Sequence, residues 1–297
     1  MQRKAYLFIL LAASLWGCIG LFLKFLTAAG LTSMQSVAVR CSTAAALYFL
    51  WLLLTDRDAL VIRPRDCIYF VGTGILSLVF FNWCYFNTIQ RSSMSVAAVL
   101  LYTAPVFVML MSSVAFHETI APRKLLALAL TLLGCTFVTG LLPHGSTSIS
   151  WQTILYGLCS GFGYALYTIF GKFALAKYSS ATVSFYTFLF AALGSLPLSG
   201  LLQFPHVLMD WRVAAGGVGI GIFCCILPYL FYTEGLRHAE AGKAAILATA
   251  EPFVAAVLGV LIFQEVLTPF KLLGMAAILG AIILLNTKRY RQELCAN

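Results

Sequence analysis

Apolar runs of about 20 residues, the length that a helix needs to cross a bilayer, follow one another along the whole chain. They lack the two-residue alternation of membrane-spanning strands, so they predict helices. Short connections that often carry Pro, Gly or a charge separate them. We place ten candidate spans at residues 4–28, 33–55, 67–89, 94–116, 123–142, 151–176, 180–202, 213–236, 242–264 and 270–287.

Composition excludes a soluble fold for most of the chain. Hydrophobic residues make up 61% of the sequence and charged residues 10%, whereas soluble domains carry about 25% charged residues. A soluble protein of this composition would expose large apolar patches and aggregate. Because lipid offers no partner for backbone N–H and C=O groups, the segments within it must pair internally. The sequence therefore predicts an all-α integral membrane protein.

The basic residues predict the orientation of these spans. With a cytoplasmic N-terminus, fourteen of the 19 Lys and Arg residues lie at the cytoplasmic side: Arg3, Lys4, Arg57, Arg63, Arg65, Arg123, Lys124, Lys172, Lys177, Arg237, Lys243, Lys288, Arg289 and Arg291. Lys24, Arg91, Arg212 and Lys271 fall outside, and Arg40 lies within the second span. This bias follows the positive-inside rule and predicts that both termini are cytoplasmic. The net charge of +9 therefore indicates membrane topology rather than nucleic-acid binding.

The two halves of the chain resemble each other at a shift of 147 residues. The aligned pairs include Gly72 and Gly219, Tyr85 and Tyr232, Pro105 and Pro252, Glu118 and Glu265, Pro122 and Pro269, and Lys124 and Lys271. We therefore divide the chain into residues 1–145 and 146–297, with five candidate spans in each. Because five is odd, the second repeat is predicted to enter the membrane inverted. Inverted repeats allow two bundles to rock around a shared midplane site, which gives alternating access.

Several ordered motifs resemble those of the EamA-type proteins of the drug/metabolite transporter superfamily. They are Leu15-Trp16-Gly17, Leu101-Tyr102-Thr103-Ala104-Pro105, His117-Glu118, Ala250-Glu251-Pro252-Phe253, Gln264-Glu265-Val266-Leu267-Thr268-Pro269, Gly274 and Gly280. The resemblance covers nearly the whole chain. It implies a transporter that exports amino acids, related metabolites or drugs across a bacterial inner membrane.

Glu251 is the strongest candidate for substrate binding. It lies about ten residues into the ninth span, where a carboxylate needs a partner, a proton or a water-filled cavity. Pro252 follows it and is expected to kink the helix, and broken helices at the midplane of transporters commonly mark the site. The first half has Ala104 at the equivalent position, so the acid is not shared by the two halves. Glu251 is also our candidate for exchanging a proton with the substrate, because a low-dielectric site disfavours a charged carboxylate.

Aromatic and amide side chains are predicted to wall the same cavity. The candidates are Trp16, Asn82, Trp83, Tyr85, Tyr102, Tyr164, Tyr167, Tyr229 and Tyr232. Aromatic faces attract ammonium groups by about 0.5–2 kcal/mol each, so with Glu251 they favour a substrate that carries an amine. The alternative for each aromatic residue is ordinary packing. Pro105, Pro228 and Pro252 are candidate kinks, with gating or tolerated packing breaks as the alternatives.

Four further residues are candidates for charge pairing: Lys24, Arg40, Lys172 and Glu234. Arg40 either binds a substrate carboxylate, pairs internally or extends its head group to the membrane surface. Lys24 and Lys172 are expected near opposite membrane faces, as gates or as helix-end anchors. Glu234 is expected to pair with Arg237 or Lys243, and the repeated Glu118 and Glu265 are expected to support the scaffold.

Other functions lack the residues they need. The sequence predicts no cofactor, metal site or ATP-binding loop, because it contains no G-x-x-x-x-G-K-[ST] or H-E-x-x-H motif. An exchanger of phosphorylated or nucleotide-linked metabolites is the main alternative, but its cavity would need a pair of cations deep in the membrane. An enzyme that acts on lipids is the alternative of another class, and the acid clusters it would need are missing. The predicted partners are a small amine, amino acid or drug-like metabolite, the lipid bilayer and, as a candidate coupling ion, the proton.

Overall fold

A computed structural model describes residues 2–141, 149–203 and 210–294. Over these residues the protein is built from helices and contains no strand. The predicted boundary between the two halves, at residues 145 and 146, lies outside the described residues. The side chains of Lys288, Arg289 and Arg291 also lie outside them.

Eight helices in the described part of the chain are long and apolar enough to cross a membrane. They are α1 (Arg3–Ala28), α2 (Ser33–Thr55), α3 (Pro64–Arg91), α4 (Met94–Ala115), α6 (Trp151–Leu175), α7 (Ser180–Ser199), α8 (Trp211–His238) and α9 (Ala241–Ile262). The protein is therefore a multi-pass helical membrane protein. Two further helices, α5 (Pro122–Val138) and α10 (Pro269–Leu294), coincide with the predicted fifth and tenth spans. The apolar part of each is 17 residues long, so the count of ten spans stays a prediction.

Side-chain caps set where several of these helices begin. Thr32 and Gln35 form a capping box at the start of α2, with the Thr32 hydroxyl accepting from the Gln35 amide at 3.3 Å. Ser150 and Ser179 accept from amides in the first turns of α6 and α7. Each cap satisfies an amide that has no partner within its own helix.

Backbone breaks recur at the same shift of 147 residues that relates the halves in sequence. Helix α4 consists of Met94–Leu101 and Ala104–Ala115, and α9 consists of Ala241–Ala248 and a second segment that begins at Ala250. Adding 147 to the bounds of Met94–Leu101 gives the bounds of Ala241–Ala248. Equivalent backbone therefore breaks at equivalent places.

Two other local features repeat in the same register. Helices α3 and α8 contain π-helical segments at Gly72–Val79 and Gly221–Ile226, each followed by 12 residues of α-helix. His117 and Gln264 have φ angles of 53° and 54°, a left-handed conformation that non-glycine residues seldom adopt. The likeness of the halves thus extends to backbone conformation.

The most extensive helix packing joins the two halves. Helix α5 packs along α10 and α2 along α7, while α1 packs on α8 as α3 packs on α6. The last two pairs are equivalent under exchange of the repeats. A site at the centre is consequently enclosed by helices from both halves.

Gly134 of α5 and Gly274 of α10 allow the closest approach between these two helices. A Cβ atom on Gly274 would lie 2.7 Å from the Gly134 carbonyl oxygen, which is rigid backbone. We expect Gly274→Ala to destabilise the protein by about 1–3 kcal/mol, because the helices must separate. Gly280→Ala on the same helix is the matched control, since a Cβ there meets no atom within 4 Å. Thermal unfolding in detergent checks this, and equal midpoints for the two variants would contradict it.

Candidate functional site

Breaks in three helices meet at the centre of the protein. Helix α1 is interrupted at Cys18, α4 at Tyr102 and Thr103, and α9 at Thr249. Pro105 and Pro252 stand in the first turn after the breaks in α4 and α9, where an amide lacks an intrahelical partner in any case. The breaks leave backbone groups and polar side chains facing a common interior.

Glu251 lies beside the break in α9 and lines a small central cavity. The other lining residues come from α4, α6, α8 and α9, and they are Leu101, Tyr102, Ala104, Pro105, Val108, Tyr164, Thr168, Tyr232, Ala245, Ala248 and Thr249. The cavity volume of about 10 Å³ is room for about one water molecule. The site is therefore closed in this conformation, and a metabolite enters only when the surrounding helices separate.

Three phenols surround the Glu251 carboxylate. The Tyr102 hydroxyl is placed to hydrogen-bond to it, and Tyr85 and Tyr164 lie within electrostatic reach. These residues come from α3, α4 and α6, so the acid of the second half faces mostly phenols of the first half. The arrangement offers one negative charge and several aromatic faces to a ligand.

Glycine allows α1 to approach this acid closely. A Cβ atom on Gly17 would lie 3.0 Å from the Glu251 carbonyl oxygen and 2.8 Å from Val254. Gly17 thus lets α1 pack closely against α9, and the neighbouring Trp16 places a large ring next to the candidate site.

A second set of aromatic residues packs together beside the cavity. Tyr232 lines the cavity, whereas five other predicted residues do not: Trp16, Asn82, Tyr85, Tyr167 and Tyr229. The Trp16 ring contacts Tyr229 and Tyr232 at centroid distances of 5.2 and 5.3 Å, and Tyr167 contacts Tyr229 at 5.0 Å. The Tyr167 hydroxyl bonds to Thr233 at 2.7 Å, and the Tyr232 hydroxyl bonds to Thr168 at 2.8 Å. These two hydrogen bonds join α6 to α8 beside the cavity.

Arg40 is a deeply buried cation about two turns into α2. Its side chain is 7% exposed, which excludes the alternative that it extends to the membrane surface. Its Nη2 donates to Asn82 Oδ1 at 3.3 Å, and its Nε has no hydrogen-bond partner among the described residues. The guanidinium also interacts electrostatically with Tyr229 and Glu251.

The neighbours of Arg40 place it near the centre of the repeat. Asn82 and Tyr229 occupy equivalent positions of α3 and α8, 147 residues apart. Tyr85 and Tyr232 follow three residues later on the same helix faces, about one turn along. Asn82, the partner of Arg40, therefore lies about one turn along α3 from Tyr85, which is within electrostatic reach of Glu251.

The remaining predicted residues are dispersed. Trp83 is 42% exposed and packs on Tyr156, and it does not line the cavity. Pro228 is buried in the first turn of the α-helical part of α8, directly after the π-helical segment. Lys24 lies exposed on α1. Lys172 lies at one end of the bundle, beside Glu118.

The predicted pairing of Glu234 with Arg237 or Lys243 is wrong. Glu234 accepts a hydrogen bond from Ser180 at 2.5 Å and lies 3.6 Å from His238. Arg237 donates to the Tyr178 carbonyl, and Lys243 pairs with Glu240. Proximity along the chain did not decide these pairs, because α7 brings Ser180 to the end of α8.

Two polar residues that line the cavity were not predicted from the sequence. Thr168 and Thr249 contribute hydroxyl groups to the lining. Thr249 occupies the repeat position of Tyr102, so the alignment of the halves at the helix breaks was the signal that could have found it.

A larger groove of about 450 Å³ lies between α2 and α7. Its lining is apolar except for Tyr186, whose hydroxyl is engaged by the Leu60 carbonyl at 2.7 Å. It therefore offers no charge or available polar group for recognising a polar metabolite. The smaller cavity at Glu251 is the better candidate site.

The chain is similar to membrane transporters along its length. It matches the EamA-like transporter family over residues 3–140 and again over 151–287. An uncharacterized transporter from Archaeoglobus fulgidus is 32% identical over 216 residues, which cover 71% of this chain and 75% of that protein. The threonine/homoserine exporter RhtA from Escherichia coli K12 is 31% identical over 208 residues, which cover 69% of this chain and 67% of the exporter. A crystal structure with 17% sequence identity matches 99% of this chain and 100% of its own with a TM-score of 0.83, which shows a shared fold.

Proposed function

This chain belongs to the EamA-like transporter family of the drug/metabolite transporter superfamily, and we propose that it exports amino acids or related amine-bearing metabolites across a bacterial inner membrane. The observation that carries this proposal is Glu251, a carboxylate held among phenols in a closed cavity between the halves. A carboxylate at this depth is costly unless it has a functional partner. A substrate ammonium group supplies that partner.

Arg40 supports an amino acid as the substrate. It is a buried charge of opposite sign that interacts electrostatically with Glu251. A zwitterion places an ammonium group against Glu251 and a carboxylate against Arg40, so the loaded site is neutral overall. The name of the Escherichia coli relative, a threonine/homoserine exporter, agrees with this class of substrate.

We propose that α1–α5 and α6–α10 are two inverted repeats of five spans each, with both termini cytoplasmic. The recurring backbone breaks and the double family match support the two repeats, and the positive-inside bias supports the orientation. In this arrangement the chain is a carrier with no catalytic residue. Rocking of the halves exposes the Glu251 cavity first to one side of the membrane and then to the other.

Cysteine labelling tests this topology. Single cysteines at Asp58, in the connection between α2 and α3, and at Val266, between α9 and α10, are expected on opposite sides of the membrane. In intact cells an impermeant maleimide should label the Val266 variant and spare the Asp58 variant. Labelling of both from outside would contradict the inverted arrangement.

Glu251 is also the proposed coupling group for protons. A carboxylate that binds the substrate ammonium in one conformation and a proton in the other exchanges the two species in one cycle. Paired deep cations would favour phosphorylated substrates instead, and within the described spans Arg40 is the only cation buried near the cavity.

Transport by the purified protein in liposomes tests the proposed function. We expect labelled threonine or homoserine to be transported, and other amino acids or amines to compete. An imposed pH gradient should change the rate. Competition by sugar phosphates without competition by amino acids would refute the proposal.

A further inference from the structure

Glu118 seals one end of the bundle by joining the two halves. Its Oε1 accepts from the Ala241 amide at 2.7 Å and from Lys172 Nζ at 2.8 Å, and its Oε2 accepts from the Gly242 amide at 3.1 Å. Lys172 also donates to the Ala239 carbonyl at 3.0 Å. An acid of the first half thus caps the N-terminus of α9, a helix of the second half, and holds a cation of α6.

Electrostatics keep this contact charged. Burial would raise the pKa of Glu118, but the hydrogen bonds from Lys172 and the two amides outweigh it and lower that pKa below its ordinary value. The carboxylate is therefore ionised at neutral pH, where charge-assisted hydrogen bonds are strongest. Lys124 adds a second bridge between the halves through its ion pair with Glu240.

Glu265 occupies the equivalent position at the other end and has the same backbone. The Glu118 amide donates to the Ser112 carbonyl, and the Glu265 amide donates to the Gly259 carbonyl, again 147 residues apart. The residues just before them, His117 and Gln264, share the left-handed conformation. The two carboxylates are therefore presented in the same way to opposite ends of the bundle.

The partner of Glu265 differs, however. Its Oε2 accepts from Lys271 Nζ at 2.8 Å, within the second half, and the acid does not cross to the first half. The repeat position of Ala241 is Met94, at the N-terminus of α4. Met94 is 68% exposed, whereas Ala241 is fully buried.

We propose that Glu118 and Glu265 form a reciprocal latch, in which each acid closes one end of the transport path by capping the opposing broken helix. In the structure the Glu118 end is latched and the Glu265 end is released. In the other conformation Glu118 leaves α9, and Glu265 binds the amides of Met94 and Ser95 with Lys24 in the role of Lys172. This inference rests on the proposed alternating access and names the contacts that govern it.

Helix ends make such an exchange possible without a large net change in energy. The first amides of a helix lack intrahelical partners and attract a carboxylate. In each conformation one of the two acids caps a helix of the opposing half, while the other forms an ion pair with a lysine of its own half. The ends are not equal, because Ser93 stands at the repeat position of Glu240 and leaves the Glu265 end without a second acid. The Glu118-latched conformation is therefore the resting one.

Cysteine reporters at the two ends test the latch in detergent. Ala241→Cys and Met94→Cys are repeat-related, and mass spectrometry separates their labelling from that of the nine native cysteines. In the otherwise unchanged protein we expect a maleimide to label Met94→Cys much faster. Glu118→Gln should raise the rate at Ala241→Cys by about tenfold, since charged hydrogen bonds are lost, and should lower the rate at Met94→Cys.

The matched variant is Glu265→Gln. Alone it should leave the Ala241→Cys rate unchanged, and combined with Glu118→Gln it should restore fast labelling at Met94→Cys. If Glu118→Gln does not fold, Lys172→Gln replaces it, because this variant keeps the helix cap and removes only the cation. It should raise the labelling rate at Ala241→Cys and lower that at Met94→Cys, both by less than Glu118→Gln would. Unchanged rates, or rates that rise together at both ends, would overturn the latch. No substrate is used, so a failure of the proposed transport function would be seen separately in liposomes.

Discussion

Replacing Glu251 with Gln is expected to lower amino-acid transport by about 10- to 100-fold, the effect of losing a charged hydrogen bond worth ~1.5–3 kcal/mol. Gln keeps the size of the side chain, so the cavity should persist. The ammonium group of the substrate then meets a neutral amide in a low-dielectric site. Initial rates in liposomes, with thermal unfolding measured alongside, check the prediction.

The matched control is Glu234→Gln, which removes an acid at the end of α8 that bonds to Ser180 outside the cavity. The transport rate of this variant should stay within about twofold of that of the unsubstituted protein, since surface substitutions usually change free energies by no more than about ±0.5 kcal/mol. The Glu251→Gln protein also tests coupling, because its residual transport should no longer respond to an imposed pH gradient. If Glu251→Gln still responds to the pH gradient, another group carries the proton. If it transports at the full rate, Glu251 does not bind the substrate.

Replacing Arg40 with Gln is expected to change substrate selection. The ratio of transport for an amino acid over the amine that lacks its carboxylate should fall by about 10- to 100-fold, because a charged hydrogen bond of ~1.5–3 kcal/mol is lost. Gln removes the charge, and its shorter side chain also gives up the hydrogen bond from Nη2 to Asn82. Competition assays with matched amino acid and amine pairs check the ratio.

Thermal stability separates recognition from a structural role for Arg40. A buried charge without a direct ion pair is expensive to keep, so its removal should leave the unfolding temperature unchanged or raise it. A marked fall in that temperature with no change in the amino acid to amine ratio would assign Arg40 to structure. Arg91→Gln is the control, since Arg91 is exposed and bonds to Asn87 on its own helix.

The membrane-spanning helices were predictable because hydropathy is a property of consecutive residues. Eight predicted spans coincide with helices that are long and apolar enough to cross a bilayer. The breaks in α4 and α9 were also predictable, since Pro105 and Pro252 disfavour a continuous helix wherever the chain packs. The break in α1 at Cys18 was not predicted, because no proline lies near it. The shift of 147 residues, read from ordered Gly, Tyr, Pro and Glu matches, reappears in the backbone as paired breaks and paired left-handed residues.

Contacts between distant helices were not predictable in the same way. The sequence allowed three roles for Arg40, and only the packing of α2 against α3 buries its guanidinium beside Asn82. Nothing local indicated that Glu118 would cap α9, 123 residues further along the chain. Trp83 was expected in the cavity, yet its face of α3 leaves it 42% exposed.

The sequence by itself thus determined that this is a helical membrane protein of two similar halves, with an acid deep in its ninth predicted span. It could do so because burial in lipid restricts residue type at every position of a span. Tertiary structure alone decided which polar groups meet and that Glu118, but not Glu265, bonds across the two halves. Those choices depend on the rotation and crossing of helices that are far apart in the chain, which a pattern along one helix does not record.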